Sequence, residues 1–209
     1  MKRSFDLFMA GVGGQGIGLL AEVLARAADH AGFVVKGCDT HGLAQRGGIV
    51  TSHLRIGSGA SSPVVSQGEA DLVVALERHE ALRSLRTMLA PGGLLLWYDA
   101  SWQPLEVRLR QARAVAVEEI FAEAKGRGVE AIRVFREDLE DSRAQNVALI
   151  AEIADRSLIP GVEMAHYRAA LSDLLDGESL AMNLAILEQV GQAGRGGGRG
   201  TRPEGRPPT

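Results

Sequence analysis

The run Phe5-Asp6-Leu7-Phe8-Met9-Ala10-Gly11-Val12-Gly13-Gly14-Gln15-Gly16-Ile17 decides the fold class of this chain. Phe5–Ala10 is short, mostly apolar and stops at Gly11, as a strand buried inside a parallel sheet does. From Ile17 the apolar residues Ile17, Leu20, Ala21, Leu24 and Ala28 recur at helical spacing, which predicts a helix over Ile17–Ala31 ended by Gly32. Phe33–Val35 then begins a second strand. Strand, glycine turn, helix and strand in this order have the size of one right-handed crossover unit.

Beyond the second strand lies Asp39-Thr40-His41-Gly42-Leu43-Ala44-Gln45-Arg46-Gly47-Gly48, rich in glycine and carrying an imidazole, an amide and a guanidinium. Ile49–Ile56 reads as a strand whose Ile49, Thr51, His53 and Arg55 face is polar enough to meet solvent, a ligand or a partner. Pro63–Val65 begins a short extended piece. Ala70–Leu76 is a strongly apolar strand, His79–Leu89 a helix, Pro91-Gly92-Gly93 a turn, and Leu94–Tyr98 the next strand. Further on, Ala114–Val117 is expected as a strand, Glu118–Lys125 as a helix and Ala131–Phe135 as a strand. Ala144–Ala154, Glu163–Leu175 and Leu180–Val190 are expected as helices. The sum is an α/β fold: a Rossmann-like open sheet, mainly parallel, with helices on both faces and a C-terminal helical appendage over about residues 143–190. Residues 1–190 form one domain. Gly191–Thr209, with seven glycines and three prolines, is expected to be disordered.

Composition removes several functions. The net charge of −3 hides a basic tail, so residues 1–190 are acidic and give no reason to expect nucleic acid. The single Cys38 excludes an internal disulfide and an all-cysteine metal site. No apolar run approaches the roughly 20 residues that cross a bilayer. Met1-Lys2-Arg3-Ser4 leads straight into a strand rather than a signal peptide, and a cytoplasmic setting is expected.

The chemistry-bearing residues each have two readings. Gly11-x-Gly13-x-x-Gly16 between strand and helix is either a phosphate cradle or a tight turn for packing or subunit docking. Asp39 stands where an acidic group would take ribose hydroxyls of a dinucleotide. His41 and His53 flank the second glycine-rich loop, as catalytic groups or as histidines that bond backbone. Arg46, with Arg55 beside it, reaches an anion or a partner carboxylate, or is solvated. Glu77 lies at the ligand edge of the sheet or caps the next helix. His30, His79 and His166 are expected on helix surfaces. No histidine pair has metal-site spacing, and no nucleophilic triad or paired carboxylate set is legible.

Gly11-Val12-Gly13-Gly14-Gln15-Gly16-Ile17 together with His41-Gly42-Leu43-Ala44-Gln45-Arg46-Gly47-Gly48 resembles the gamma-type module of the 2-oxoacid:ferredoxin oxidoreductases. Ser62-Pro63-Val64, Gly68-Glu69-Ala70-Asp71, Pro91-Gly92-Gly93 and Asn146 opening a helix add to the match. His41 paired with Ala44-Gln45-Arg46-Gly47-Gly48 is most similar to the indolepyruvate type, in its beta subunit. The resemblance implies CoA-dependent oxidative decarboxylation of arylpyruvates to acyl-CoA. It also implies thiamine diphosphate and [4Fe–4S] clusters in a large alpha partner, with electrons passing to ferredoxin. This chain would itself hold no cofactor firmly, no metal and no certain catalytic residue, and would be inactive alone. Gly13, Gly14, Gln15, Gly16, Gln45, Arg46 and Gly47 are the expected CoA or anion contacts, or else a subunit interface, with His41 a weaker catalytic candidate. A related pyruvate or 2-oxoglutarate enzyme, and an independent NAD(P)-binding oxidoreductase, are the alternatives.

Overall fold

A computed structural model describes residues 4–40, 48–100, 113–139 and 142–196. Strand β1 (Phe5–Val12) is followed by α1 (Ile17–His30), β2 (Val35–Thr40), β3 (Ile49–Ile56), β4 (Ala70–Ala75), α2 (Arg78–Thr87) and β5 (Leu89–Tyr98). Then come α3 (Val117–Arg127), β6 (Glu130–Val134), α4 (Ser142–Asp155), α5 (Met164–Leu174) and α6 (Gly177–Gly196). The strands form one sheet in the order β2-β3-β1-β4-β5-β6. The β1/β4, β4/β5 and β5/β6 pairs are parallel, while β3 runs antiparallel to both β1 and β2.

Alternation along the strands explains the two helical layers, because successive side chains point to opposite faces. Leu7 and Met9 of β1, Leu72 and Val74 of β4, and Leu96 and Tyr98 of β5 join Leu20, Leu24 and Ala28 of α1 in one buried cluster. Val147, Ile150, Tyr167, Leu171 and Leu187 of the last three helices belong to that same cluster. The C-terminal helices are thus one wall of the core. Phe8, Ala10, Val73, Ala75, Leu95 and Trp97 point the other way, to Ala81 and Leu85 of α2 and Ile120 of α3. Each fully buried leucine contributes about 2 kcal/mol relative to an exposed one.

Several boundaries differ from the sequence reading for identifiable reasons. The helix expected to end at Leu89 stops at Thr87, since Met88 caps it and Leu89 already pairs with Ala70. Pro91-Gly92-Gly93 lies inside β5 as an irregularity, where pairing jumps from Ala70↔Leu89 to Leu72↔Leu94. Gly92 has φ +76°, and a Cβ on Gly93 would lie 2.9 Å from the Ala70 carbonyl oxygen, so glycine is required at both. Ala114–Val117 is not a strand: Val117 opens α3, whose first turn holds Glu118 and Glu119, carboxylates favoured at a helix N-terminus. Pro63–Val65 pairs with no strand, although Val65 is buried. The last helix continues to Gly196, into the stretch expected to be disordered.

The largest departure concerns the crossover. β2 does run parallel to β1, but β3 is inserted between them. At one strand spacing of about 4.8 Å each, β2 lies roughly 10 Å from β1.

Candidate functional site

The carboxyl ends of β1, β4 and β5 define the edge where open α/β sheets bind ligands. The switch point falls between β1 and β4, since the chain leaves β1 toward β2 and β3 on one side and continues from β4 to β5 on the other. Gly11–Gly16 sits at this edge. Gly14 and Gly16 have φ of +101° and +79°, values that a side chain would strain. Gly16 is the N-cap of α1, and no side chain caps that end. The first-turn amides of a helix have no partner within it, which suits them to an anion.

Gln15 turns its side chain inward, with 1% of its surface exposed. Its Oε1 accepts the Val12 N–H at 2.7 Å, and its Nε2 donates to the Leu76 carbonyl at 3.0 Å. This amide bridges β1 to the end of β4 and occupies the switch point itself. A Cβ on Gly11 would lie 3.0 Å from both Gln15 Oε1 and Leu76 Cβ, so Gly11 is part of the same fit. On the far side, Asn146 of α4 donates from Nδ2 to the carbonyls of Gln15 (2.7 Å) and Gly16 (3.0 Å).

The second motif meets the first. β3 runs antiparallel, so its start at Gly48-Ile49 and the end of β2 at Thr40 share the edge that holds the glycine turn. The Gly13 N–H donates to the Gly48 carbonyl at 2.8 Å. His41, Gln45, Arg46 and Gly47 lie outside the described residues; Gly48, which follows them, is bonded to Gly13, and Thr40, which precedes them, ends β2 at the same sheet edge.

Other candidates are placed elsewhere or occupied. Asp39 accepts the Ser52 hydroxyl and stands on β2, two strands from the glycine turn, which removes it from the ribose position. Arg55 forms an ion pair with the fully buried Asp6 at 2.9 Å and donates to Ser4 and Ser62, so it adds nothing to an anion site. Glu77 is the cap of α2, accepting the N–H groups of His79 and Glu80. Burial raises its pKa despite those donors. His79 is not a surface residue: its Nδ1 lies 3.2 Å from Glu77 and its Nε2 is buried. His30 and His166 are held by Asp173 and the Glu163 amide. Burial, then the Asp39 charge, raises the Cys38 thiol pKa, the opposite of what activates a cysteine nucleophile.

His53 is packed edge-on against Phe8, and its Nδ1 accepts the Val65 N–H at 3.2 Å. At His53 this face of β3 is therefore covered rather than open to a ligand, while Ile49 at its start stays exposed. Desolvation lowers its pKa from 6.5, with Asp39 opposing weakly. A histidine with a depressed folded pKa stabilises the fold above the unfolded value and loses that contribution as pH falls. Urea melts are expected to show stability falling from pH 6.5 downward, by at most about 1.4 kcal/mol per pH unit from this residue. His53→Gln should flatten that slope; an unchanged slope would remove His53 as its source.

Residues 6–193 match the family model for pyruvate ferredoxin/flavodoxin oxidoreductase. The chain belongs to this family. An indolepyruvate oxidoreductase subunit IorB from Archaeoglobus fulgidus is 31% identical over 188 residues, covering 88% of this chain and 92% of that one. The Pyrococcus horikoshii subunit of the same name is 35% identical over 118 residues, 56% of this chain and 58% of its own. Among solved structures, pyruvate oxidoreductase subunit PORC of Thermotoga maritima superposes with TM-score 0.60 at 20% identity, covering 91% of this chain and 97% of that chain. The 2-oxoglutarate:ferredoxin oxidoreductase of Magnetococcus marinus gives TM-score 0.65 at 19% identity, over 92% of this chain but 32% of that chain. At such identities these two establish the fold of this oxidoreductase family member and nothing finer. Among the described residues, no group of His, Cys, Asp and Glu is arranged to hold a metal ion, and no helix is long and apolar enough to cross a membrane.

Proposed function

We propose that this member of the family is the small subunit of a thiamine-dependent, indolepyruvate-type 2-oxoacid:ferredoxin oxidoreductase. It would complete a site for CoA whose chemistry lies in a larger partner. The observation that carries the reading is the bond from Gly13 to Gly48, which joins the glycine turn to the segment holding Arg46. Helix-terminal amides at this edge, joined by a guanidinium from Arg46, would be a donor set suited to the phosphates of CoA. The Archaeoglobus relative, similar over nearly its whole length, supports the indolepyruvate type.

The residues do not fit a cluster of their own. A [4Fe–4S] centre takes four cysteine thiolates, and this chain has Cys38 alone. The clusters and thiamine diphosphate, which stabilises the carbanion of decarboxylation, are assigned to the partner, with ferredoxin as acceptor. Gly13, Gly14, Gly16, Gln45, Arg46 and Gly47 bind and orient CoA, with His41 in support. A cytoplasmic location fits this assembly. The nicotinamide alternative is weakened by β3, which separates Asp39 from the glycine turn.

The test is reconstitution with a large thiamine- and cluster-binding subunit of the family, assayed with indolepyruvate, pyruvate or 2-oxoglutarate plus CoA and a redox dye. Turnover is expected only for the pair and fastest with the arylpyruvate. Arg46→Ala should raise the KM for CoA about tenfold, the scale of one charge-assisted contact. An unchanged CoA affinity would count against the contact, and turnover by the chain alone against the subunit reading.

A further inference from the structure

We infer that Asn146 is a positioning residue, which aims the glycine-turn amides at the bound anion from the far side of the turn. The inference rests on the reading of Gly13–Gly16 as an anion cradle.

Asn146 lies on α4, is 1% exposed, and spends both Nδ2 hydrogens on two consecutive carbonyls, those of Gln15 and Gly16. A peptide unit is planar and trans, so the N–H of each following residue points opposite to its carbonyl. Two carbonyls drawn toward α4 therefore turn the Gly16 and Ile17 N–H groups away from it. Those are N-terminal amides of α1, at the positive end of its dipole. The Gly16 carbonyl also accepts the Leu20 N–H of α1 at 3.3 Å, so the clamp's own effect falls mainly on the Gln15–Gly16 peptide, which glycine's tolerance of either sign of φ would otherwise let rotate.

The arrangement has a cost that packing alone does not explain. Among the described residues, Asn146 Oδ1 is buried and without a partner. An orphaned buried acceptor is unfavourable, and an apolar residue would avoid it. Rotating the amide to relieve Oδ1 would set it against two carbonyl oxygens, so only the observed orientation serves the turn. The clamp also comes from the C-terminal layer, whereas the Gln15 side chain ties the turn to Val12 and Leu76. The loop is gripped by two side-chain amides, one from within and one from α4.

The experiment uses the reconstituted two-subunit complex. Asn146→Ala removes both donors and Asn146→Ser retains one. For Asn146→Ala the KM for CoA is expected to rise about five- to tenfold, with Asn146→Ser between it and wild type. The kcat and the arylpyruvate KM should stay within about twofold. Melting curves ensure that assays run well below each midpoint, and the serine variant carries the test if alanine does not fold. A CoA KM within twofold of wild type in both variants, or a parallel loss of kcat and both KM values, overturns the inference.

Gly14→Val separates this from failure of the underlying reading. A Cβ there meets nothing within 4 Å, but φ +101° strains any side chain, so the variant disturbs the turn itself, and melting curves confirm that the domain stays folded. If Gly14→Val raises the CoA KM and Asn146→Ala does not, the cradle stands and the clamp falls. If neither raises it, both fall.

Discussion

Gln15→Ala is expected to lower unfolding stability by about 3 kcal/mol, the sum of two orphaned backbone groups and a small cavity. The Val12 N–H and Leu76 carbonyl both depend on this side chain. They lie at the switch point, where the ends of β1 and β4 part and no ladder bond replaces the loss. The Val12 end is only partly buried, so water recovers some of its share. Gln15→Glu is the sharper comparison. It keeps an acceptor for Val12 but places a carboxylate oxygen against the Leu76 carbonyl, and should be at least as damaging as alanine. Urea denaturation of the full chain measures both. A change below 1 kcal/mol for Gln15→Ala would show that the bridge contributes little and that the crevice is held by packing alone.

The second large effect is expected at Asp99. Its side chain is 1% exposed and receives the guanidinium groups of Arg78, at the start of α2, and Arg133, on β6. One carboxylate thus ties β5 to α2 and to the edge strand. Asp99→Ala leaves two cations facing each other, and a loss of about 2 kcal/mol is expected after allowing for the exposure of both arginines. Part of that loss should return in 0.5 M salt, which screens like charges. Removing Arg133 as well, in Asp99→Ala with Arg133→Met, should cost less than the two single changes added, because the repulsion is gone. Additive losses, or a loss indifferent to salt, would mean that Asp99 acts through something other than this charge cluster.

What the sequence revealed, and what it withheld, follows from the range of the interactions. The first strand and helix were legible because their signal is local: an apolar run, a glycine stop, and Leu20, Leu24 and Ala28 at helical spacing. The family resemblance was legible as two motifs and their separation, and it alone grouped them in one expected contact set; their meeting at one edge came from the sheet. The position of β3 was not. An antiparallel strand inserted between two parallel ones leaves no local pattern, and it decides the fate of Asp39. For His53 and Arg55 the choice between readings was hidden for the same reason. Alternation placed them on one face, but His53 bonding the Val65 backbone against Phe8, and Arg55 pairing with Asp6, are contacts that no spacing encodes. Glu77 was balanced between ligand and cap until its two amide bonds decided for the cap. Asn146 was visible as a motif residue, while its task required knowing that α4 passes beneath the glycine turn.

β3 is held by two ladders. It pairs with β2 in register from Val35↔Ile56 to Thr40↔Thr51, and with the whole length of β1 on its other side. Its register is therefore set by both neighbouring strands and not by the 41–47 connection. Changes of length or sequence in that connection cost the fold little, since doubling a loop adds only about 0.6 kcal/mol of closure entropy.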